Sequence, residues 1–206
     1  TLKALGFGLE NLAVIAGGLS VGIGFGMQTI VNNFLSGLIL IFSRTLHEGD
    51  VIDVGNLQGV VRKISVRATT VETFDNAIIF VPNSEFVSNR LINWTRNGRI
   101  VRREVAIGVA YGTDPKLVER LLVEVAQSVP QIVRRPQPFV LFMDFADSTL
   151  NFVLRYWSDI GTATDAASAI RHRIVEVFAE HQVEIAFPQL DVHVIPQTPS
   201  LTRAEG

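Results

Sequence analysis

The sequence predicts a membrane α-helix followed by a small β domain and an α+β domain. Three observations lead there. Between Glu10 and Arg44 lie 33 consecutive residues without a charged side chain, and about 20 apolar residues suffice to cross a bilayer as a helix. From residue 51 onward, short β-branched runs recur between Gly and Asx turn signals. From residue 99, strand-like and helix-like stretches follow one another in the order β-α-β-β-α-β, the split-βαβ arrangement.

Composition narrows the classes. A chain of 206 residues, nearly half apolar, can form one or two small domains with sizeable cores. A net charge of −2 argues against a dedicated nucleic-acid binder, which carries a strong positive excess. The absence of cysteine removes disulfides, zinc-thiolate sites and thiol chemistry. The chain starts at Thr1 without a signal-peptide pattern. We read it as part of a longer or processed protein, with further transmembrane helices expected upstream.

The first element is a transmembrane helix over residues 1–28. A straight helix through the whole uncharged run would reach about 50 Å, against a hydrocarbon core of about 30 Å. A bend is therefore expected, and the sequence changes character at Gln28–Thr29. The stretch before that point, "GGLSVGIGFGMQ", holds five glycines, although glycine in a helix interior is roughly 1 kcal/mol less favourable than alanine. On a helical wheel Val14, Val21 and Phe25 form one narrow bulky stripe with Gln28 beside it. Gly17 and Gly24 lie on one flank; Gly18, Gly22 and Gly26 lie on the other. Leu19, Ile23 and Met27 take the remaining face.

Small residues let membrane helices approach closely. Two small flanks imply two close neighbours, and hence a ring of identical helices with the bulky stripe facing its axis. Val21 and Phe25 would then line a narrow apolar constriction. Other readings fit less well. A nucleotide fingerprint fails because Met27 stands where a third glycine belongs and no strand precedes it. A flexible linker would need polar residues in place of Val, Ile, Leu and Phe. A glycine-rich helix packed on its own protein remains open.

Residues 29–44 predict an amphipathic interfacial helix. Ile30, Phe34, Leu38 and Ile41 recur at helical spacing, opposite Thr29, Asn32, Asn33, Ser36 and Ser43. Residues 45–97 predict five short strands, near 51–54, 59–65, 68–74, 77–81 and 91–94, in a small bent barrel or sandwich. Residues 98–195 predict an α/β domain. A strand comes first, then a helix capped by Asp114 with Pro115 at its first position, running to Ser128. Strands near 138–146 and 149–158, a helix over 163–181 and a strand over 189–195 complete the ferredoxin-like order. Residues 196–206 lack periodicity and are expected to be disordered.

Lys and Arg lie thickly after the membrane segment, at Arg44, Arg62, Lys63, Arg67, Arg90, Arg96, Arg99, Arg102 and Arg103. Only Lys3 precedes it. The positive-inside tendency places the C-terminal domains in the cytoplasm. Arg96, Arg99, Arg102 and Arg103 form the densest basic cluster. It reads as a solvated strand edge or as a charged wall that biases which ions gather near a pore; acidic neighbours such as Glu104 dilute that field. His47, His172, His181 and His193 lack metal-ligand spacing, and Ser84 has no nucleophile-elbow setting. We find no catalytic constellation and no metal site, and no cofactor is implied.

In order along the chain stand "GLSVGIGFGMQTIVNNFLSGLILIFSR", "GDVIDVGNLQGVV", "RATTVETFDN", "VPNS", "NW" and "GVAYGTD". This set resembles the small-conductance mechanosensitive channel (MscS-like) family, most closely its large potassium-dependent-type members. The resemblance spans residues 7–195. It implies a homo-oligomeric ring, usually a heptamer, in an inner membrane, with no nucleic acid, the lipid bilayer and permeating ions as partners, and a multi-pass topology. It further implies an Sm-like β domain and a ferredoxin-like domain that enclose a cytoplasmic vestibule. The family's gate positions fall on Val21 and Phe25, its packing positions on Gly17, Gly18, Gly22 and Gly24, and its glutamine on Gln28. Thr29 stands where the founding pattern has a glycine hinge; Gly37 matches a second hinge. The expected activity is an osmotic safety valve opened by membrane tension. The rivals are a membrane-anchored scaffold without channel activity, an RNA-binding ring and a soluble nucleotide enzyme.

Overall fold

A computed structural model describes residues 9–190, with side chains from Ala13 onward. Residues 1–8 of the expected first helix, residues 191–195 of the expected last strand and the expected tail over 196–206 lie outside the described residues. The chain divides into two units, and the break falls at Ile100–Val101.

The first unit begins with α1 (Leu9–Ser43), a single helix of 35 residues. The sequence predicts two helices meeting at Gln28–Thr29; the helix instead runs through that point without interruption. The physical reason is local. Only proline both removes an amide donor and clashes with the preceding turn, and no proline lies in the run. Glutamine and threonine keep the hydrogen-bond ladder intact. Ala13–Ser43 is long and apolar enough to cross a membrane. Every side chain from Ala13 to Asn32 is exposed.

After α1 the chain forms β1 (Val51–Val54), β2 (Leu57–Ile64), β3 (Ala68–Thr73) and β4 (Ile78–Pro82), then the short α2 (Asn83–Ser88) and β5 (Leu91–Asn93). The sheet order is β4-β3-β2-β1-β5, and every pairing is antiparallel. The β1–β2 hairpin closes with Val54 opposite Leu57. Of its two loop residues only Gly55 has a positive φ, +61°, as a type II′ turn requires at its first central position. A register shift between Val61 and Lys63 marks a bulge in β2, which bends the strand and increases its twist. Ile52, Val54, Val61, Val71 and Val81 face a common core with Leu46, Phe86 of α2 and Leu40 of α1. The sequence reads Pro82-Asn83 as a turn and misses α2. Six residues are too few to show a helical period, and Pro82 occupies the cap position in place of a Ser or Asp.

The second unit contains β6 (Ile100–Val109), α3 (Pro115–Ser128), β7 (Phe139–Phe145), β8 (Leu150–Asp159) and α4 (Ala163–Glu180). The sheet order is β6-β8-β7. Asp114 caps α3, its side chain accepting from the Lys116 amide at 2.9 Å, with Pro115 at the first helical position. Along β8 burial alternates strictly, so Leu150, Phe152, Leu154, Tyr156 and Ser158 face inward. They meet Val118, Leu121, Leu122 and Val125 of α3, and Ala166, Ile170, Ile174 and Phe178 of α4. Ahead of the expected last strand, the chain after α4 makes an isolated pairing with β6. Val109 bridges to Ile185, and the Ala186 amide donates to the Gly108 carbonyl at 3.1 Å. Gln189 and Leu190 belong to no strand. Pro188 intervenes, and proline cannot donate to a ladder.

Within the first unit, α1 is seated on its own β domain through its C-terminal third. Ser36, Gly37 and Leu40 are buried, and Asn33 is half-buried. A Cβ on Gly37 would overlap the Val66 carbonyl oxygen and crowd the Asn83 amide nitrogen at 2.5 Å. Asn83 itself is fully buried. Its Nδ2 donates to the carbonyls of Ser65 (2.8 Å) and Val66 (3.0 Å), and its Oδ1 accepts from the Thr69 hydroxyl (2.9 Å). Asn33 Oδ1 accepts from the Ser84 amide at 3.0 Å, while its Nδ2 donates to the Thr29 carbonyl at 2.9 Å.

Two stability predictions follow from this seat. Glycine to alanine inside a free helix gains roughly 1 kcal/mol, whereas overpacking a tight contact costs about 1–3 kcal/mol. Gly37→Ala is therefore expected to lower the thermal midpoint of the detergent-purified protein, followed by circular dichroism; a raised midpoint would mean that the helix is not seated there. Asn83→Ala strands two carbonyls and a hydroxyl, at about 1–3 kcal/mol for each buried group left unpaired. It is expected to give the larger drop in the same scan.

Candidate functional site on the exposed helix

From Ala13 to Asn32, the half of α1 that precedes the seat has no partner among the described residues. Val21 is 58% exposed and Phe25 75%. Val21, Gly24, Phe25, Gln28, Val31 and Asn32 line one open groove along the helix, so the bulky stripe expected from the wheel shares a face in the folded chain. Apolar surface this extensive is rare on a soluble monomer and marks a membrane or protein contact.

The glycine flanks are equally bare. At Gly17, Gly18, Gly22, Gly24 and Gly26 nothing among the described residues lies within 4 Å of where a Cβ would stand. No contact made by the described residues therefore requires glycine at these five positions. Gly37 is the contrast, since its hydrogen faces the Val66 carbonyl. On an ideal helix Asn33, Ser36, Gly37 and Leu40 continue the face that carries Gly18, Gly22 and Gly26. That face lies roughly a quarter turn from the Val21–Phe25 stripe.

The two expected hinge residues Gln28 and Thr29 sit in mid-helix, both exposed. The Thr29 carbonyl carries the additional bond from Asn33, and Asn33 in turn holds the Ser84 amide. Gly37, the other expected hinge residue, lies buried in the seat. Asn33 and Asn83 were not singled out from the sequence. The available signals were an amide at residue 33 inside a long uncharged run and an amide directly after Pro82.

The four arginines do not form one patch. Arg96 is engaged at the end of α1, where its Nη1 donates to the Arg44 carbonyl at 2.9 Å and reaches His47 Nδ1 at 3.0 Å. Arg99 is exposed and has a partner of its own. Arg102 and Arg103 are consecutive in β6, so they point to opposite faces of the strand. Arg102 is exposed, whereas Arg103 is half-buried and partnered.

Comparison with known proteins gives this arrangement a context. Residues 29–96 match the family described as mechanosensitive ion channel, beta-domain. Residues 104–185 match mechanosensitive ion channel MscS, C-terminal. The mechanosensitive channel MscK of Escherichia coli is 38% identical over 93% of this chain, and the chain spans 17% of that protein's length. An MscS family protein of Buchnera aphidicola from Schizaphis graminum is 30% identical, with 94% of this chain and 68% of the relative aligned. The crystal structure of Helicobacter pylori MscS in a closed state superposes with a TM-score of 0.86 at 26% identity, covering 95% of this chain and 78% of that one. A lone apolar helix, the two matched domains in this order and relatives along nearly the whole chain agree: the chain belongs to the MscS family of mechanosensitive channels.

Proposed function

We propose that this chain is the pore-forming and cytoplasmic portion of a mechanosensitive channel subunit, opened by membrane tension to release ions and small solutes. The observation that carries the reading is the bare half of α1. Its apolar stripe and its two glycine flanks meet nothing among the described residues, within a family of mechanosensitive channels. Identical helices stand side by side in a homo-oligomeric ring, a heptamer as in the resembled family. Residues 1–28 cross the inner membrane, one span of a multi-pass protein, and residues 45–97 and 98–195 lie in the cytoplasm.

In the closed ring Val21 and Phe25 face the axis. Two layers of apolar side chains enclose a passage too hydrophobic to stay wet, so ions do not cross. Tension acts as a ligand does, through the difference in work that it performs on two states, and it favours the one with the larger in-plane area. The flanks of Gly17 and Gly24 and of Gly18, Gly22 and Gly26 let neighbouring helices slide and tilt. The bulky rings then withdraw and water enters. Gln28 and Thr29 lie in the unbroken helix between its membrane and seated halves, and Gly37 anchors the seated half. Arg96, Arg99, Arg102 and Arg103 contribute a weak positive field to the vestibule. A scaffold without channel activity would use the same ring but pass no current; currents from the purified protein in a plain lipid patch under suction decide between the two.

Phe25→Ser is expected to wet the constriction, so that channels open at lower suction than wild type; an unchanged threshold removes Phe25 from the gate. Gly22→Leu is expected to push neighbouring helices apart, and native mass spectrometry should then show loss of the intact ring or patches should show loss of opening. A ring of normal stability and normal threshold would remove the close-packing argument.

A further inference from the structure

The last turn of α1 ends in a small polar cluster that the gating reading does not use. Arg44 follows the helix with a left-handed φ of +49°, which leaves its carbonyl at the helix C-terminus. Arg96, three residues beyond β5, supplies the donor. Its Nη1 bonds the Arg44 carbonyl at 2.9 Å and His47 Nδ1 at 3.0 Å. An Nη1 nitrogen carries two hydrogens, one for each acceptor, and a guanidinium only donates. His47 Nδ1 is therefore the acceptor, which requires a neutral imidazole with its proton on Nε2.

The other charged group facing the ring is Asp50, whose Oδ2 lies 3.9 Å from His47 Nδ1. That carboxylate is already engaged. Oδ2 accepts from the His47 amide (2.9 Å) and from Asn93 Nδ2 (2.7 Å), and Oδ1 accepts from the Thr95 hydroxyl (3.2 Å). Asp50 thereby fixes the His47 backbone and the 93–95 segment together, and holds the ring within reach of Arg96. Glu48 and Arg44 flank His47 in the chain, and both are exposed. The cluster joins the end of α1, the loop before β1 and the segment after β5 through two titratable acceptors, His47 and Asp50.

We propose that His47 is a proton-sensitive latch on the end of the transmembrane helix: neutral, it holds the Arg96 guanidinium against the Arg44 carbonyl, and protonated, it releases it. Protonation puts a hydrogen on Nδ1 and removes the acceptor. It also sets a second cation 3.0 Å from the guanidinium, with Asp50 close enough to draw the imidazolium toward itself. Arg96 then leaves the helix terminus, and the Arg44 carbonyl loses its tie to the segment after β5, while Asp50 keeps the His47 backbone joined to that segment. The latch holds while the imidazole is neutral and opens once it is protonated as the pH falls. This inference goes beyond the gating reading and stands without it.

The test is hydrogen exchange followed by mass spectrometry on the full-length protein in detergent, at pH 8 and pH 5.5, reading the peptides that cover residues 43–50 and 93–97. His47→Gln keeps a neutral acceptor and cannot titrate; comparing it with wild type at the same pH cancels the intrinsic pH dependence of exchange. Wild type and His47→Gln are expected to exchange alike at pH 8, with wild type several-fold faster at pH 5.5. His47→Lys, permanently cationic, is expected to exchange fast at both pH values, and Arg96→Gln to match it at pH 8. Equal exchange of wild type and His47→Gln at pH 5.5 would overturn the proposal. So would an Arg96→Gln protein as protected as wild type at pH 8.

Discussion

The buried carboxamide of Asn83 holds the first unit in its observed form. A buried amide needs partners, and the turn between β2 and β3 presents the Ser65 and Val66 carbonyls to Asn83. One Asn83 side chain satisfies both and takes the Thr69 hydroxyl in return. With Val66 held in place, its carbonyl comes so close to the helix that only a residue without a Cβ fits opposite, and Gly37 is that residue. Asn33 adds a second tie one helical turn earlier, from the Thr29 carbonyl to the first turn of α2. The helix is therefore mechanically continuous with its β domain. In the proposed channel, tilt of the membrane half passes into the β domain through these few contacts.

The two halves of α1 use glycine in opposite ways. In the seated half, a single glycine allows helix backbone to meet strand-turn backbone within one chain. In the bare half, five glycines leave two flanks flat, and nothing among the described residues meets them. Helix propensity disfavours each of them, so their retention in an unbroken helix needs a compensating contact, and close approach of neighbouring membrane helices is one that apolar surroundings permit. Large side chains lie on the stripe between the flanks and, at Leu19, Ile23 and Met27, on the opposite face, so the two flat sides alternate with two bulky ones.

Charge in this chain is used locally. Arg96 caps a helix terminus, where a cation complements the partial negative charge of the last carbonyls. Arg62 pairs with Glu72 at 2.6 Å across β2 and β3, and the Arg62 side chain holds the Glu72 carboxyl below its usual range, by its hydrogen bond first. Arg155 meets Glu104 at 3.3 Å between β8 and β6. Arginines that look like one basic patch when counted along the sequence are separated by strand alternation and by partners of their own.

By itself the sequence determined the membrane helix, the stripe of Val21 and Phe25 between its glycine flanks, the order of the strands and the capped start of α3. Each of these rests on a local rule: an uncharged run, a helical period, a turn residue, an Asp-Pro cap. The tertiary structure decided what depends on partners distant in the chain. It joined the two expected helices into one, because no residue at Gln28–Thr29 breaks a hydrogen-bond ladder and the seat holds the second half in line. It placed Gly37 against Val66, gave Asn33 and Asn83 their roles, formed α2 from six residues too few to show a period, and bridged Ile185 to Val109 of β6. Hydrogen bonding between residues 18 to 52 positions apart leaves no periodic trace in the sequence, so those contacts became visible only once the chain was folded.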